Sequence, residues 1–159
     1  MKSSTLIAIV FWLALFAGLI WLLNGYVNPN KAATLGEARV VELKRDPSGH
    51  YRADAFINGK EVRVLVDTGA TGVAISQSLA DQLGLESNAA IRTTTANGDA
   101  VAYMVRLKEV RLGGIVAHDV SANIAPGLSG DALLGMSFLG RMDVRLYRGT
   151  MTIKQDEDN

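Results

Sequence analysis

Asp67 is the residue of this sequence whose surroundings best suit chemistry. It follows the aliphatic run Val64-Leu65-Val66 and precedes Thr68-Gly69, which turns the chain sharply. The aliphatic run favours a strand that enters the core, so a carboxylate at its end would be partly desolvated and would face backbone N–H groups of the turn. Such a carboxylate can act as a general acid or base. The alternative is an aspartate that only begins a turn, which is the commoner role of a bare Asp-x-Gly.

The composition removes most other catalytic chemistries. The chain has no cysteine, which excludes a thiol nucleophile, a disulfide scaffold and a cysteine-ligated zinc or iron–sulfur site. Its two histidines, His50 and His118, are too few for a His-rich metal site. Lys+Arg and Asp+Glu both number 16, so the basic excess typical of nucleic-acid binding is missing. Catalysis therefore falls to carboxylates or hydroxyls, and no nucleic-acid partner is expected.

The elements that must position Asp67 are predicted to be strands. Apolar and polar residues alternate with period two, and Asn58-Gly59 and Asn97-Gly98 are strong hairpin signals. The pattern predicts a mainly β domain. Its strands are expected at Ala38–Lys44, His50–Ile57, Lys60–Val66, Ile91–Ala96, Ala100–Leu112 and Ile115–Ile124, with two short final strands on either side of Arg148-Gly149.

One short helix is expected between the strands. Ser76 can cap its start, Gln77–Leu83 fills two turns, and Gly84 suits the left-handed position that ends a helix. A second short helical turn is predicted at Met136–Arg141.

An apolar segment precedes the β domain. Leu6–Leu23 has no charged or strongly polar side chain and would form a helix roughly 27 Å long, close to the hydrocarbon thickness of a bilayer. A cleaved signal peptide is the alternative, but its apolar core is normally shorter and no Ala-x-Ala site follows. We therefore expect an uncleaved transmembrane anchor. Lys2 on one side nearly balances Lys31 and Arg39 on the other, so charge does not fix the orientation.

These patterns divide the chain into four parts. Residues 1–23 form an N-terminal stub and anchor, with the bilayer contacted by residues 6–23. Residues 24–37 are polar and small and predict a tether. The β domain occupies residues 38–154, and residues 155–159 form an acidic tail.

Two motifs and a hairpin resemble those of the aspartic proteases. Val66–Thr71 resembles their active-site motif, and Leu133-Leu134-Gly135 resembles the element that packs beneath the catalytic loop in those enzymes. The hairpin formed by Ala96, Asn97 and Gly98 lies where the retroviral enzymes carry their flap. The longer segment Leu133–Arg141 resembles the bacterial, membrane-anchored branch of the retropepsin-like proteases. The resemblance covers about residues 38–153 and implies a single-lobe retropepsin-like fold.

The resemblance implies an endopeptidase that cleaves protein or peptide substrates as a homodimer. Aspartic proteases use two aspartates, whereas this sequence has one Asp-Thr-Gly and no Asp-Ser-Gly. The second catalytic Asp67 would therefore come from a second copy of the chain. Two carboxylates this close share one proton, so one activates a water while the other donates to the scissile carbonyl. No metal or other cofactor is expected.

The resemblance also implies roles for the residues beside Asp67. Thr68 would hydrogen-bond across the dimer axis, and Gly69 would give its N–H to the carboxylate. Ala70 stands where pepsin-like enzymes have a hydroxyl that stabilises the ionised aspartate, so activity is expected at less acidic pH. A hairpin needs no function to explain Asn97-Gly98, so the flap role depends on the resemblance alone.

Two further points depend on the family resemblance. A bacterial inner membrane with the β domain in the periplasm is implied by it, not by the charges of the chain. A dimeric module that binds peptides on the same fold without cleaving them is the alternative function. Loss of Asp67, Thr68 or Gly69 would indicate that module, and all three are present.

Overall fold

The computed structural model of the chain describes residues 3–31, 35, 38–95 and 98–156. Its first element is the helix α1, Ser3–Val27. The part Thr5–Val27 has a mean hydropathy of 2.7, and none of it is buried against the rest of the protein. By length and composition it can span a membrane. It continues four residues past the end of the predicted apolar segment at Leu23.

Ten strands and two short helices follow in the described part of the chain. Their order along the sequence is β1 (Val40–Lys44), β2 (Tyr51–Ile57), β3 (Lys60–Val66), β4 (Val73–Ile75), α2 (Gln77–Gln82), β5 (Ala90–Thr95), β6 (Gly98–Leu112), β7 (Ile115–Ile124), β8 (Ala132–Leu134), α3 (Met136–Leu139), β9 (Asp143–Tyr147) and β10 (Thr150–Lys154). The predicted mainly β fold is confirmed. The predicted strands agree with the structure to within about two residues at each end.

Seven strands form one sheet in the order β2-β3-β8-β4-β7-β6-β5. Strand β2 also pairs with β6, so six of these strands close into a ring and β5 extends β6 outside it. Most neighbours are antiparallel, but β3 runs parallel to β8 and β4 runs parallel to β7. The insertion of β8 between β3 and β4 brings the end of β8 beside the end of β3.

A second, three-stranded sheet has the order β1-β10-β9 and covers one side of the core. Its inward residues Val41, Leu43, Met151 and Ile153 are almost completely buried together with the inward residues of the larger sheet. Buried and more exposed residues alternate along β1 and β10, as expected for strands that have one face on the core and one face in solvent.

The predicted caps of α2 are confirmed. The Ser76 side chain accepts a hydrogen bond from the Leu79 N–H at 3.2 Å. At the other end Gly84 has φ +63°, and the Leu85 N–H donates to the Ala80 carbonyl at 2.9 Å. This left-handed glycine ends the helix as the sequence indicates. The second helical turn forms as α3, although it ends two residues before Arg141.

The strands β4 and β8 have no signal in the sequence. Each has three residues, too few for a period-two pattern. They are strands because they pair with each other and with the distant strands β3 and β7.

The turn between β1 and β2 is built around the side chain of Asp46, which is 7% exposed. Burial opposes ionisation of this carboxyl group, but hydrogen bonds from the Ser48 hydroxyl and the His50 backbone N–H favour it. The Arg52 guanidinium adds a further bond at 2.5 Å. Together these donors hold the pKa of Asp46 well below its usual value of 3.8.

Part of the predicted tether is bonded to the β domain. Asn24–Val27 belong to α1, and Asn30 is 2% exposed and hydrogen bonded to β1 and β2. The remaining boundaries of the four predicted parts stay predictions, and the last three residues of the acidic tail lie outside the described residues.

Candidate active site

The end of β3 places Asp67 at the edge of the core. Val66 is buried, while Asp67 itself is half-buried and the next two residues are exposed. The Asp67 backbone N–H donates to the Leu134 carbonyl at 3.0 Å, which extends the parallel pairing of β3 with β8 by one residue. The position of the aspartate along its strand is therefore fixed by β8.

The loop after Asp67 folds back on the aspartate. The Gly69 N–H donates to Asp67 Oδ1 at 2.8 Å, and the Ala70 N–H donates to the Asp67 carbonyl at 3.3 Å. These bonds orient the carboxylate while Thr68 and Gly69 remain exposed. The sequence predicted the Gly69 bond through the family resemblance.

Gly135 packs directly against this loop. A Cβ at Gly135 would lie 2.3 Å from the Gly72 carbonyl oxygen and 2.6 Å from that of Ala70. The neighbouring Met136 N–H donates to the same Ala70 oxygen at 2.9 Å. Only glycine permits this approach of two backbones. Leu133 and Leu134 lie on β8, so the Leu-Leu-Gly motif supports the Asp67 loop from below.

Ser137 joins three elements behind the loop, a role that its sequence position does not indicate. Its Oγ donates to the Ser121 carbonyl on β7 at 2.8 Å and accepts from the Val73 N–H on β4 at 2.9 Å. A serine in the second position of a helix gives no sequence signal of such a distant contact.

A groove of about 460 Å³ lies next to the loop. Thr71 and Gly72 form one side, and β6 and β7 form the other, where Met104 is 53% exposed. Its lining combines apolar groups with polar side chains from β6, β7 and α3. Such a lining can contact the side chains of a bound polypeptide.

The flap prediction is tested only in part. Strands β5 and β6 form an antiparallel hairpin with Thr95 opposite Gly98, and Gly98 has φ +103°. The hairpin itself was predicted. Ala96 and Asn97 at its tip lie outside the described residues, so a flap role stays a prediction.

Three other aspartates have partners elsewhere in the β domain. Asp54 forms an ion pair with Arg63 at 2.6 Å, and the Asp131 carboxylate accepts from the Arg63 backbone N–H at 3.0 Å. Asp143 pairs with Arg145 at 2.9 Å. Unlike these three carboxylates, that of Asp67 accepts a backbone N–H of its own loop. No group of three or more potential metal ligands occurs among the residues described.

Comparisons with known proteins agree with this geometry. Residues 53–141, more than half of the chain, match the family described as "gag-polyprotein putative aspartyl protease". An uncharacterized protein of the cobV 5′ region of a Sinorhizobium species is 35% identical over 80% of this chain and 57% of its own length. An uncharacterized protein of Rickettsia prowazekii is 31% identical over 66% of this chain and 46% of its own length. The chain thus spans about half the length of these relatives.

A solved structure also resembles the chain. The retropepsin-like aspartic protease from Rickettsia conorii superposes with a TM-score of 0.62 at 28% identity, over 73% of this chain and 90% of that protein. The family match contains both the Asp67 loop and the Leu-Leu-Gly motif beneath it. The chain therefore belongs to the retropepsin-like aspartic protease family.

Proposed function

We propose that the protein is a membrane-anchored aspartic endopeptidase that works as a homodimer. The observation that carries this proposal is the Asp67 carboxylate, which the Gly69 N–H orients on an exposed loop. A groove lined by Thr71 and Gly72 follows directly after this loop. The sequence has one Asp-Thr-Gly, so a complete pair of catalytic aspartates requires a second copy of the chain.

In the proposed reaction the two Asp67 carboxylates flank one water molecule on the dimer axis. They share a proton because two carboxylates in contact do not both ionise at moderate pH. The ionised carboxylate removes a proton from the water, which attacks the scissile carbonyl carbon. The protonated carboxyl group donates to the carbonyl oxygen, and a proton then passes to the leaving amine.

The residues around Asp67 have supporting roles in this proposal. Thr68 is exposed, as it must be to reach the partner loop across the dimer axis. Ala70 presents a methyl group where a hydroxyl would stabilise the ionised aspartate, which favours activity at less acidic pH. The β5–β6 hairpin closes over the bound peptide and excludes water.

The helix α1 is the proposed anchor. Its apolar part is long enough to cross a bilayer, and no described part of the chain buries it. Two anchors in one membrane raise the effective concentration of the β domains and favour the dimer. We propose the bacterial inner membrane as the location, with the β domain in the periplasm.

The direct test is digestion of a peptide library by the full chain in detergent micelles, with Asp67→Asn beside it. Cleavage by the wild type that is lost in Asp67→Asn supports an aspartic protease and reveals its sequence preference. Asp81→Asn, which changes an exposed aspartate on α2, is the matched control and should cleave normally. Peptides that bind to a folded dimer without being cut would favour the binding module instead.

A further inference from the structure

The first residues after α1 are hydrogen bonded both to the helix and to the β domain. Asn28 follows α1 directly, and its backbone N–H donates to the Asn24 carbonyl at 2.9 Å. Its side-chain amide donates to the Asn24 side chain at 2.8 Å, and its Oδ1 accepts from Arg63 on β3 at 2.9 Å. Asn28 is thus bonded to the last turn of the helix on one side and to the β domain on the other.

Two residues later Asn30 is inserted between β1 and β2. Its Nδ2 donates to the carbonyls of Lys44 and Arg52 at 2.7 and 2.9 Å, and its Oδ1 accepts from the Lys44 N–H at 2.8 Å. Its own carbonyl accepts from the Asp54 N–H at 3.1 Å. A side chain that is 2% exposed and makes three hydrogen bonds holds the chain firmly. We call residues 28–30 the asparagine clamp.

The clamp limits how far Asp67 can lie from the end of α1. Arg52, which Asn30 contacts, is paired with Leu65, and Asp67 follows two residues later. With about 5 Å between paired strands and about 3.4 Å per residue, Asp67 lies within roughly 20 Å of Asn30. The three residues from Val27 to Asn30 add at most about 11 Å.

The route through Arg63 gives a similar limit. Arg63 lies four residues before Asp67 on the same strand, a distance of about 14 Å. The path from Arg63 to the end of α1 adds about 17 Å, which is the sum of the extended Arg63 side chain, its bond to Asn28 and the step from Asn28 to Val27. Both routes place Asp67 within roughly 30 Å of the end of α1, whatever the tilt of the domain. A free tether over residues 24–37 would reach about 50 Å.

We propose that the asparagine clamp holds the active site within about 30 Å of the bilayer and so selects membrane-anchored polypeptides, cleaved in exposed segments beside their own anchors. The inference rests on the proposed function. About nine extended residues cover 30 Å, so a segment next to a membrane anchor reaches the site. A segment that is separated from its membrane anchor by a folded domain about 30 Å across does not reach the site.

Reporter substrates in proteoliposomes with the full-length protease test this inference. Each substrate is a single transmembrane helix followed by a cleavable sequence taken from the peptide-library digestion. In the near substrate this sequence begins about ten residues from the membrane, and in the far substrate it follows a 40-residue helical spacer of roughly 60 Å. We expect the near substrate to be cut at least about tenfold faster in the membrane, and both to be cut equally in detergent.

A protease variant provides the complementary test. The same helical spacer is inserted between Val27 and Asn28, which leaves the clamp bonded to the β domain and Asp67 unchanged. This variant should cut a soluble peptide as fast as the wild type and should gain cleavage of the far substrate.

The outcomes separate the two proposals. Equal cleavage of near and far substrates by the wild type in the membrane, or no gain by the spacer variant, overturns the clamp inference alone. Failure of the wild type to cut the soluble peptide overturns the proposed function itself.

Discussion

The close approach of Gly135 to the Asp67 loop gives the sharpest test of how the fold supports the site. In Gly135→Ala the new Cβ would lie 2.3 Å from the Gly72 carbonyl oxygen and 2.6 Å from that of Ala70. A real Cβ lies at least 3.0 Å from such an oxygen and ordinarily 3.4 Å or more, so one backbone must move by about 0.7 to 1 Å. Neither obstacle is a flexible side chain, and we expect a loss of about 3 kcal/mol in the free energy of unfolding.

The same backbone shift should lower the rate of cleavage even in the molecules that remain folded. The Ala70 carbonyl is pushed outward, and the loop that orients the carboxylate moves with it. A displacement of about 1 Å in a catalytic group costs roughly 100-fold in rate. The assays are urea unfolding of the full chain in micelles and cleavage of the preferred peptide. Gly127→Ala is the matched control, because nothing lies within 4 Å of its Cβ position and its φ is not positive. Wild-type stability and activity in Gly135→Ala would refute the reasoning.

Three further predictions concern the turn, the loop support and the pH profile. The pKa of Asp46 is lowered in the folded chain, so its ionised carboxylate stabilises the fold above pH 3.8 and this contribution is lost as the pH falls below that value. Asp46→Asn should therefore destabilise the protein at pH 7 by about 1–3 kcal/mol. The free energy of unfolding of this variant should also fall less than that of the wild type as the pH is lowered below 3.8. Ser137→Ala leaves the N–H of buried Val73 without its partner and should cost about 1–3 kcal/mol in urea unfolding. Ala70→Ser should extend cleavage to more acidic pH, because a hydroxyl can stabilise the ionised Asp67 carboxylate.

Each of these three has a result that contradicts it. An Asp46→Asn variant with an unchanged pH profile would mean that the turn does not depend on the charge. Unchanged stability in Ser137→Ala would mean that the bonds from Ser137 to β4 and β7 are replaced without cost. If the pH dependence of cleavage is the same in Ala70→Ser as in the wild type, residue 70 does not set the acid limit of activity.

The sequence predicted the elements that have local signals. The hairpin at Asn58-Gly59, the cap at Ser76 and the left-handed Gly84 each depend on residues close together in the chain, and each forms as expected. Asp67 was singled out because an aliphatic strand leads into a glycine turn. These are features that a short window of sequence contains.

The rest depends on contacts between residues far apart in the chain. Strand β8 forms only because β3 and β4 lie on either side of it, and the role of Ser137 depends on two distant strands. The same holds for Asn30. Its polar neighbours predicted a tether, but its side chain fits a gap between β1 and β2 that only the folded domain creates.

The central claim is that two copies of Asp67 form one site, and mixing subunits tests it most directly. Wild-type chain is combined in micelles with a threefold excess of Asp67→Asn, and cleavage is measured per wild-type chain. Random pairing leaves only about a quarter of wild-type chains with a wild-type partner, so activity should fall about fourfold. A threefold excess of Asp81→Asn should cause no such loss. Constant activity per wild-type chain in the Asp67→Asn mixture, at concentrations where the subunits exchange, would contradict the shared site.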